Sequence, residues 1–500
     1  MRRVVVIGAG SAGCVVAARL SEDADTSVVL LEAGPDYPDV RAAPEDIRNA
    51  FVFAGTDHDW GYVADGVTAR ADAVNLGSTS AAIPVLRGKV VGGSSAVNGT
   101  SAMRSTPSDF DRWVAAGNDD WSWRDVVPFF RLLENDPAPG EWHGTEGLLP
   151  IRRFEGEQLR PIQQAFLDAC AACGIATVED HNAPGAIGAG PIPVNQLDGV
   201  RQSAALTYLD PVRHRENLTV RADVLVDRVE IVDGRARGVL LAGGEVIEAD
   251  DVVLSAGAYG SPAILLRSGI GPGDELTALG ITPIADLRAV GKNLRDHPMF
   301  VVAVASRADA IGALDPPVQT MLTIASRGPS TQENLDVEIA MFTVVADQVF
   351  FGIGMVRPKS VGEMCLTSRD PSAAPRIRLN FFDDEADLIA MVRGVRVVRD
   401  LLATDALAPF VGEELFPGPS MQDDSALAET IRATPTSYAH ATGTCHMGPH
   451  ADTSVVGQTG RVHGFENLWV IDASIMPALP TVPTNTTTMM LAERCAAWLR

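Results

Sequence analysis

The sequence predicts a mixed α/β fold built from two domains. Its 500 residues exceed what a single hydrophobic core usually serves. The first 35 residues contain a buried strand at 4–7, a helix at 11–20 and a second strand at 28–31, which is the beginning of a parallel sheet. A later part of the chain changes character, with a strand at 337–345 and a helix near 383–402, and we assign it to a second domain.

Composition and charge exclude several classes of protein. Hydrophobic residues make up 46% of the chain and charged residues 21%, which is ordinary for a globular protein and excludes a disordered one. The formal net charge of −24 repels phosphate groups, so we expect neither nucleic acid nor an anionic membrane surface as a partner. No run of about 18 uncharged apolar residues predicts a transmembrane helix.

The N-terminus and the cysteines predict a cytoplasmic protein. Two arginines and the apolar residues 4–7 imitate the start of an export signal, but the run breaks into glycines and is too short. Six cysteines in 500 residues are too sparse for a disulfide framework. Cys170 and Cys173 form a CxxC pair, yet they lie on a predicted helix face that ends at Gly174. No second pair completes a zinc site, so we expect packing rather than metal or redox chemistry there.

The clearest motif is GAGSAG at residues 8–13, which stands between the first strand and the first helix. Its G-x-G-x-x-G spacing is typical of dinucleotide binding, and Glu32 ends the second strand 24 positions after Gly8. Gly8 permits the tight turn, Gly10 lets the backbone approach a pyrophosphate, and Gly13 lets the helix pack closely on the strand. Glu32 would accept hydrogen bonds from an adenosine ribose and repel a 2′-phosphate, which argues against NADP.

The glycine motif does not by itself distinguish NAD from FAD. Two further glycine pairs, at 188–190 and 269–271, run into prolines and cannot open a helix with three glycines. The sequence therefore predicts one dinucleotide site. If the cofactor is FAD, the reducing equivalents come directly from the substrate.

Other elements are predicted in the middle and at the end of the chain. Residues 226–232 and 238–241 read as two strands of a β-meander joined by a turn. Residues 252–254 read as another buried strand, and a strand at 468–471 is followed by a helix at 489–499.

Further sequence blocks point to a family. They read RGKVVGGSSAVNGTSAMR at 87–104, AGAYGSPAILLRSGIGP at 256–272 and HATGTCHMG at 440–448. Together with GAGSAG at 8–13 and EAG at 32–34, they resemble the glucose–methanol–choline (GMC) oxidoreductase family. The resemblance spans nearly all of the chain, and the blocks stand in the order expected for the family.

The resemblance implies an FAD enzyme that oxidises an alcohol by hydride transfer to the flavin. It also implies a Rossmann-like FAD-binding domain and a substrate domain built on a mostly antiparallel sheet. Both domains would be discontinuous: we expect the FAD-binding domain at 1–155, 201–300 and 436–500, and the substrate domain at 156–200 and 301–435.

The resemblance further implies a set of cofactor contacts. The small residues at 92–95, with their accessible amides, suit contact with a flat ring or with phosphates. In some relatives a histidine immediately before the asparagine at position 98 is bonded covalently to the flavin. This chain has Val97 there, so we expect dissociable FAD. The expected contacts are Gly8, Gly10, Ser11, Ala12, Gly13, Glu32, Ala33, Trp60, Arg87, Gly93, Asn98, Gly99, Thr100, Ser101, Val226, Ala256, Asp472, Ala473 and Thr486.

Alcohol oxidation needs a general base, because hydride leaves a carbinol carbon readily only if the hydroxyl proton leaves too. Histidine suits this role, and His440 matches the catalytic histidine of the family at the start of a small-residue loop. The family's second active-site position is histidine or asparagine, and counting back from Met489-Met490 places Asn485 there. We expect His440 to be the base and Asn485 to hold the substrate oxygen as charge develops on it.

The other histidines are expected to have structural roles. His446 is at best a neighbour of the site, and His143 and His297 match family positions of structural character. His440 and His446 have no suitably spaced carboxylate beside them, so we expect no metal. The glycine motif also lacks the G-x-S-x-G elbow of a hydrolase.

The sequence leaves the electron acceptor and the substrate open. Molecular oxygen or another acceptor, artificial or quinone-like, would take the electrons. A lyase that cleaves hydroxynitriles with an oxidised flavin is the main alternative, and a flavoprotein with only a binding role would not need His440 and Asn485. Bulky residues of the second domain favour an aromatic or mid-sized apolar primary alcohol over a sugar if they line the site, although such residues more often form the core. The acidic surface also fits a cationic substrate, but surface charge is weak evidence. The bulky residues are Met341, Phe342, Phe350, Phe351 and Met355.

Overall fold

A five-stranded parallel sheet carries the glycine motif. The computed structural model describes residues 1–52, 56–65, 82–307, 311, 315–345 and 347–500. The strands lie in the order Leu218–Arg221, Thr26–Leu31, Arg2–Ile7, Asp251–Leu254 and Leu468–Val470, and every neighbouring pair is parallel. The central strand is buried from Val4 onwards, because its run of valine and isoleucine meets apolar side chains on both faces.

The predicted start of the chain is confirmed. The helix Ser11–Leu20 has the predicted bounds, and the second strand ends at Leu31, directly before Glu32. The C-terminal helix Thr484–Leu499 packs against Ser11–Leu20, but it begins at Thr484 and not at the predicted residue 489. Its threonine-rich first turns have low helix propensity, yet their side chains are mostly buried, so tertiary packing overrides that propensity.

The second large sheet has seven antiparallel strands. Its main path runs Val411–Phe416, Pro298–Ser306, Gln348–Met355, Val337–Val345, Thr320–Ile324 and Gly188–Pro191, and Thr436–Ser437 pairs with Pro298–Ser306. The helices Pro161–Ala172 and Glu385–Leu402 cover one face and form a second core. The predicted strand at 337–345 and the helix near 383–402 are therefore confirmed.

Smaller sheets and helices complete the described fold. The predicted meander is present as Val226–Val232 and Arg235–Leu241, with Val246–Glu248 added at its edge. A four-stranded sheet contains Glu363–Cys365, Arg376–Arg378, Val63–Asp65 and Ala82–Pro84, and two short ladders pair Glu134–Asn135 with Leu149–Pro150 and Gln196–Leu197 with Val200–Arg201. The other helices are Glu45–Arg48, Pro107–Ala115, Trp123–Leu133, Gly257–Arg267, Gly273–Ala278 and Asp424–Ala433.

The packing predicted for the CxxC pair is found for Cys170 but not for Cys173, which follows the helix end and is exposed. Cys170 is buried in the second core on the helix Pro161–Ala172, and Gly174 follows the helix end with a φ of +76°. The strand Pro298–Ser306 crosses the predicted domain boundary at 300/301, and the boundaries themselves stay a prediction. Among the helices of the described residues, none combines the length and the apolar character that a bilayer crossing requires.

Candidate active site

A continuous groove runs from the glycine turn of the parallel sheet to the inner face of the antiparallel sheet. Most of the residues expected to contact the cofactor line it: Gly8, Gly10, Ser11, Ala12, Glu32, Ala33, Trp60, Arg87, Gly93, Asn98, Gly99, Ser101, Val226, Ala256, Asp472 and Ala473. His440 and Asn485 also line the groove. The structure places Gly13, Thr100 and Thr486 behind this lining rather than on it. The predicted residues are therefore brought together, although they come from distant parts of the chain.

The glycine turn has no room for side chains at two positions. Gly8 has a φ of +95°, and a Cβ there would lie 2.5 Å from the carbonyl oxygen of Ser255. A Cβ on Gly13 would lie 1.9 Å from the carbonyl oxygen of Gly8. The helix that begins at Ser11 has no capping side chain and no acidic residue in its first turn. Its first N–H groups are therefore available to an anion such as a phosphate.

Glu32 stands at the next point along the groove, where the second parallel strand ends. One carboxylate oxygen accepts a hydrogen bond from the backbone N–H of Ala9 (2.9 Å), and the other accepts one from that of Gly34 (2.9 Å). Burial raises the pKa of Glu32 to about 7, although these backbone N–H groups oppose the shift. Through these two hydrogen bonds Glu32 joins the glycine turn to the end of the second strand, and its side chain lines the groove.

A second glycine-rich segment closes against the first. Gly93 has a φ of +52°, and a Cβ there would lie 2.6 Å from the Cα of Gly10, so the two backbones meet directly. Beyond it, the buried hydroxyl of Ser101, the hydroxyl of Thr486 and the amide nitrogen of Asn485 have no hydrogen-bond partner among the described residues. Buried polar groups without partners are rare in folded proteins. The close backbone approach and these three groups fit a bound dinucleotide with polar edges.

His440 enters the groove from a tightly held loop. Its backbone N–H donates to Asp296 Oδ1 (2.8 Å), and the preceding Ala439 has a φ of +62°. The Tyr438 ring stacks on the imidazole at 5.1 Å between ring centroids. Burial, the neighbouring His297 and the Arg87 guanidinium lower the pKa of His440 well below its ordinary value of 6.5. His440 is therefore neutral at neutral pH and able to accept a proton.

The structure gives His297 a position that the sequence did not reveal. Its Nδ1 lies 2.9 Å from Nδ1 of His440, and the two rings meet at 88°. In the sequence, only its place directly after Asp296 pointed to this position. In the structure, Asp296 accepts hydrogen bonds from the backbone N–H groups of both histidines. His297 contacts the candidate base directly and is more than a distant structural residue.

Asn485 lies on the first turn of the C-terminal helix, at the glycine end of the groove. Its Oδ1 accepts a hydrogen bond from the Ser11 hydroxyl (2.7 Å). The ring contacts that the structure gives His440 are with His297 and Tyr438. The described hydrogen bond of Asn485 therefore joins it to the dinucleotide turn and not to His440.

The far end of the groove is apolar. Its wall consists of Ile192, Val318, Met321, Ala340 and Phe342, which belong to one hydrophobic cluster between the two sheets. Of the five bulky residues considered from the sequence, Phe342 alone lines the groove, whereas Met341, Phe351 and Met355 pack in the second core and Phe350 is buried away from the groove. The reason is the two-residue period of a strand, which turns Met341 and Phe342 to opposite faces.

Away from the groove, two carboxylates and a histidine have the spacing of metal ligands, but two arginine side chains pair with the carboxylates. Glu134, Asp136 and His143 lie close together and buried. Arg104 pairs with Glu134 at 2.9 Å, and Arg153 pairs with Asp136 at 2.8 Å. Burial alone would lower the pKa of His143, but its hydrogen bonds with Asp180 and Glu134 raise that pKa to about 9. The cluster is thus a buried ion-pair network, in keeping with the structural role expected for His143.

Comparisons with known proteins identify the family. Sequence profiles of the N-terminal and C-terminal parts of GMC oxidoreductases match residues 3–299 and 358–492. An uncharacterised GMC-type oxidoreductase of Rhodococcus erythropolis is 34% identical over 513 residues, covering 99% of this chain and 97% of the relative. An oxygen-dependent choline dehydrogenase of Yersinia pseudotuberculosis is 33% identical over 538 residues, covering 99% and 93%.

Solved structures agree with the fold. Pyridoxine 4-oxidase from Mesorbium loti superposes with a TM-score of 0.90 at 30% identity, covering 100% of this chain and 99% of the other. A variant of the formate oxidase of Aspergillus oryzae gives a TM-score of 0.88 at 25% identity, with 99% and 98% covered. The predicted mixed α/β architecture, with a Rossmann-like part and an antiparallel sheet, is confirmed. The chain therefore belongs to the GMC oxidoreductases and is an FAD-dependent alcohol oxidoreductase.

Proposed function

We propose that this chain oxidises an uncharged, apolar primary alcohol to an aldehyde, with His440 as the general base. The observation that carries the proposal is the position of His440, a partly exposed, neutral imidazole that lines the same groove as the cofactor motifs and the apolar wall. When bound, FAD supplies the hydride acceptor and passes the electrons on to oxygen or to another acceptor. The assignment of the segments 1–155, 201–300 and 436–500 to FAD binding is part of this proposal.

The chain's own residues have separate roles in this proposal. The N–H groups at the start of the helix Ser11–Leu20 bind the pyrophosphate, and Glu32 binds the adenosine ribose. Ser101 offers the cofactor's polar edge a buried hydroxyl that has no other partner among the described residues. Asn485 lines the groove and accepts a hydrogen bond from Ser11 through Oδ1, and its Nδ2, which has no partner among the described residues, is the donor that holds the substrate oxygen. His440 accepts the hydroxyl proton of the alcohol.

The charges around the groove favour a neutral substrate. Among the described residues that line it, the carboxylates are Glu32, Asp59 and Asp472. Each already accepts hydrogen bonds from backbone N–H groups, and none belongs to the apolar wall. A quaternary ammonium alcohol such as choline would find no carboxylate among the described residues that line the wall, whereas an aromatic or aliphatic side chain would contact Phe342 and Met321. These contacts support an apolar alcohol over the substrate class of the choline dehydrogenase relative.

Anaerobic mixing with a panel of alcohols tests this proposal. The holoenzyme would be mixed with benzyl alcohol, a mid-length aliphatic primary alcohol, choline and glucose, and the flavin absorbance would be followed. We expect bleaching with the first two and slow or no bleaching with the others. Air admitted afterwards reveals whether oxygen reoxidises the flavin. Turnover of a hydroxynitrile without bleaching would instead identify a lyase.

We further propose that FAD is held without a covalent bond. Position 97, which lines the groove, is a valine and offers no nucleophile to the flavin. Acid precipitation of the holoenzyme should therefore release the yellow chromophore into the supernatant. A flavin that stays with the pellet after unfolding would contradict this proposal.

A further inference from the structure

Two imidazoles lie in contact at the groove wall, with His440 on the groove and His297 buried behind it. His297 Nδ1 and His440 Nδ1 are 2.9 Å apart, and His297 Nε2 lies 2.9 Å from the carbonyl oxygen of Pro480. His297 is fully buried, whereas His440 is partly exposed and lines the groove. Burial lowers the pKa of His297 to about 4, although the carbonyls of Pro480 and Val356 oppose the shift. At neutral pH the pair is therefore uncharged, with one proton on each ring.

The hydrogen bonds determine which nitrogen carries each proton. A carbonyl oxygen can only accept, so the proton of His297 lies on Nε2, where it is donated to Pro480. Nδ1 of His297 is then a bare acceptor. The short contact between the two Nδ1 atoms consequently requires that His440 carry its proton on Nδ1 and donate it to His297. The lone pair of His440 is left on Nε2.

We propose that His297 is a positioning residue that fixes His440 in the tautomer whose Nε2 accepts the proton of the alcohol. The inference rests on the proposed function, in which His440 is the base. In the reaction, the O–H bond of the alcohol breaks and its proton bonds to Nε2 of His440, while the carbinol C–H bond breaks and its hydride goes to FAD. The imidazolium formed keeps its Nδ1–H bond to His297, which stabilises the new charge.

The two histidines do not form a relay that could carry the proton away from the groove. The far nitrogen of His297 already donates to a backbone carbonyl, which cannot take up a proton at accessible pH. The proton must therefore leave His440 through Nε2 and the groove. The charged or titratable groups that face the pair are Asp296, which binds both backbones, Arg87 and Tyr438 beside His440, and Asp109 and Arg112 beside His297.

Two substitutions at His297 separate tautomer control from simple packing. In His297→Asn, the amide Oδ1 replaces the acceptor that Nδ1 provides, whereas His297→Leu fills the space without an acceptor. We expect anaerobic flavin reduction to slow by about 100-fold in His297→Leu, because the wrong tautomer becomes accessible. His297→Asn should stay within about fivefold of wild type. KM should change little in either variant, since His297 does not line the groove.

The outcomes distinguish this inference from the proposed function. Equal rates in the two variants, whether both slow or both normal, would overturn the role of His297 while leaving His440 as base. Flavin reduction at the wild-type rate in His440→Ala would overturn the proposed function itself. If His297→Leu fails to bind FAD, nitrogen-15 NMR of the wild-type holoenzyme decides the question. A proton on Nε2 of His440 at neutral pH would contradict the inference, and one on Nδ1 would support it.

Discussion

The two walls of the groove are built from different parts of the chain. The wall from the parallel sheet is largely backbone, because Gly8, Gly10 and Gly93 bring main chains together where a Cβ would collide at two of the three positions. The wall from the antiparallel sheet consists of side chains such as Met321 and Phe342. The cofactor end thus requires glycines, which have no Cβ atom, whereas the substrate end is shaped by side chains. A glycine substitution at the cofactor end should therefore abolish FAD binding, whereas a substitution at the substrate end should change KM by a moderate factor.

The largest effect is expected at Gly13. In Gly13→Ala, the new methyl would lie 1.9 Å from the carbonyl oxygen of Gly8, so the helix must move away from the turn. We expect the purified protein to contain little or no FAD, measured as the ratio of flavin to protein absorbance. Gly243→Ala is the matched control, since nothing lies within 4 Å of a Cβ there and its backbone is unstrained. Full flavin content in Gly13→Ala would show that the turn tolerates side chains.

The next effect is expected at His440, which lines the groove. His440→Ala removes the proposed base without touching the glycine turn, so FAD should stay bound. The rate of anaerobic flavin reduction by an alcohol should fall about 10²–10⁴-fold. Stopped-flow absorbance measures this rate, with His463→Ala as a control, because His463 contacts Ser454 and Gly448 away from the groove. A normal rate would remove His440 from the chemistry.

A smaller and graded effect is expected at the apolar wall. Met341 and Phe342 are neighbours on the strand Val337–Val345 but face opposite sides of the sheet. Met341→Ala should lower the free energy of unfolding by about 2–5 kcal/mol and leave KM for an apolar alcohol unchanged. Phe342→Ala should raise KM by about tenfold with a smaller loss of stability, since its ring is only partly buried. Thermal denaturation and steady-state kinetics of both variants decide, and equal changes in KM would contradict the assignment of faces.

The same contrast explains what the sequence could predict. The glycine turn, the helix Ser11–Leu20 and Glu32 are contiguous, and each residue type has one local reason to be there, so spacing alone predicted them. The faces of Val337–Val345 were not assigned from the sequence, because both carry large apolar residues and even Glu338, the one charged residue of the strand, is buried. The fold was accessible from the sequence, whereas the substrate wall was not.

The candidate site shows a second limit. Asn485 was assigned by counting back from Met489-Met490, and the structure places it on the groove, but its hydrogen bond with Ser11 could not be predicted from the count. His297 lies 143 residues before His440, and only the tertiary fold joins them. Local motifs identify the residues that make a site, but the pairing of those residues depends on long-range packing that one sequence does not reveal.

The smallest effect is a difference in pH dependence between the two ends of the groove. Burial raises the pKa of Glu32 to about 7, so lowering the pH from 8 to 6 protonates it and weakens its hydrogen bonds to a ribose. We expect FAD affinity to fall by about fivefold over this range, and Glu32→Gln to remove the dependence. The rate of flavin reduction should not fall with pH in the same way, because the pKa of His440 lies well below 6.5 and its base form persists at pH 6.5. Fluorescence titration with FAD measures the first quantity and stopped-flow absorbance the second. A reduction rate that halves near pH 6.5 would mean that His440 titrates like a free histidine, and the neutral pair of His297 and His440 would then not be the working state.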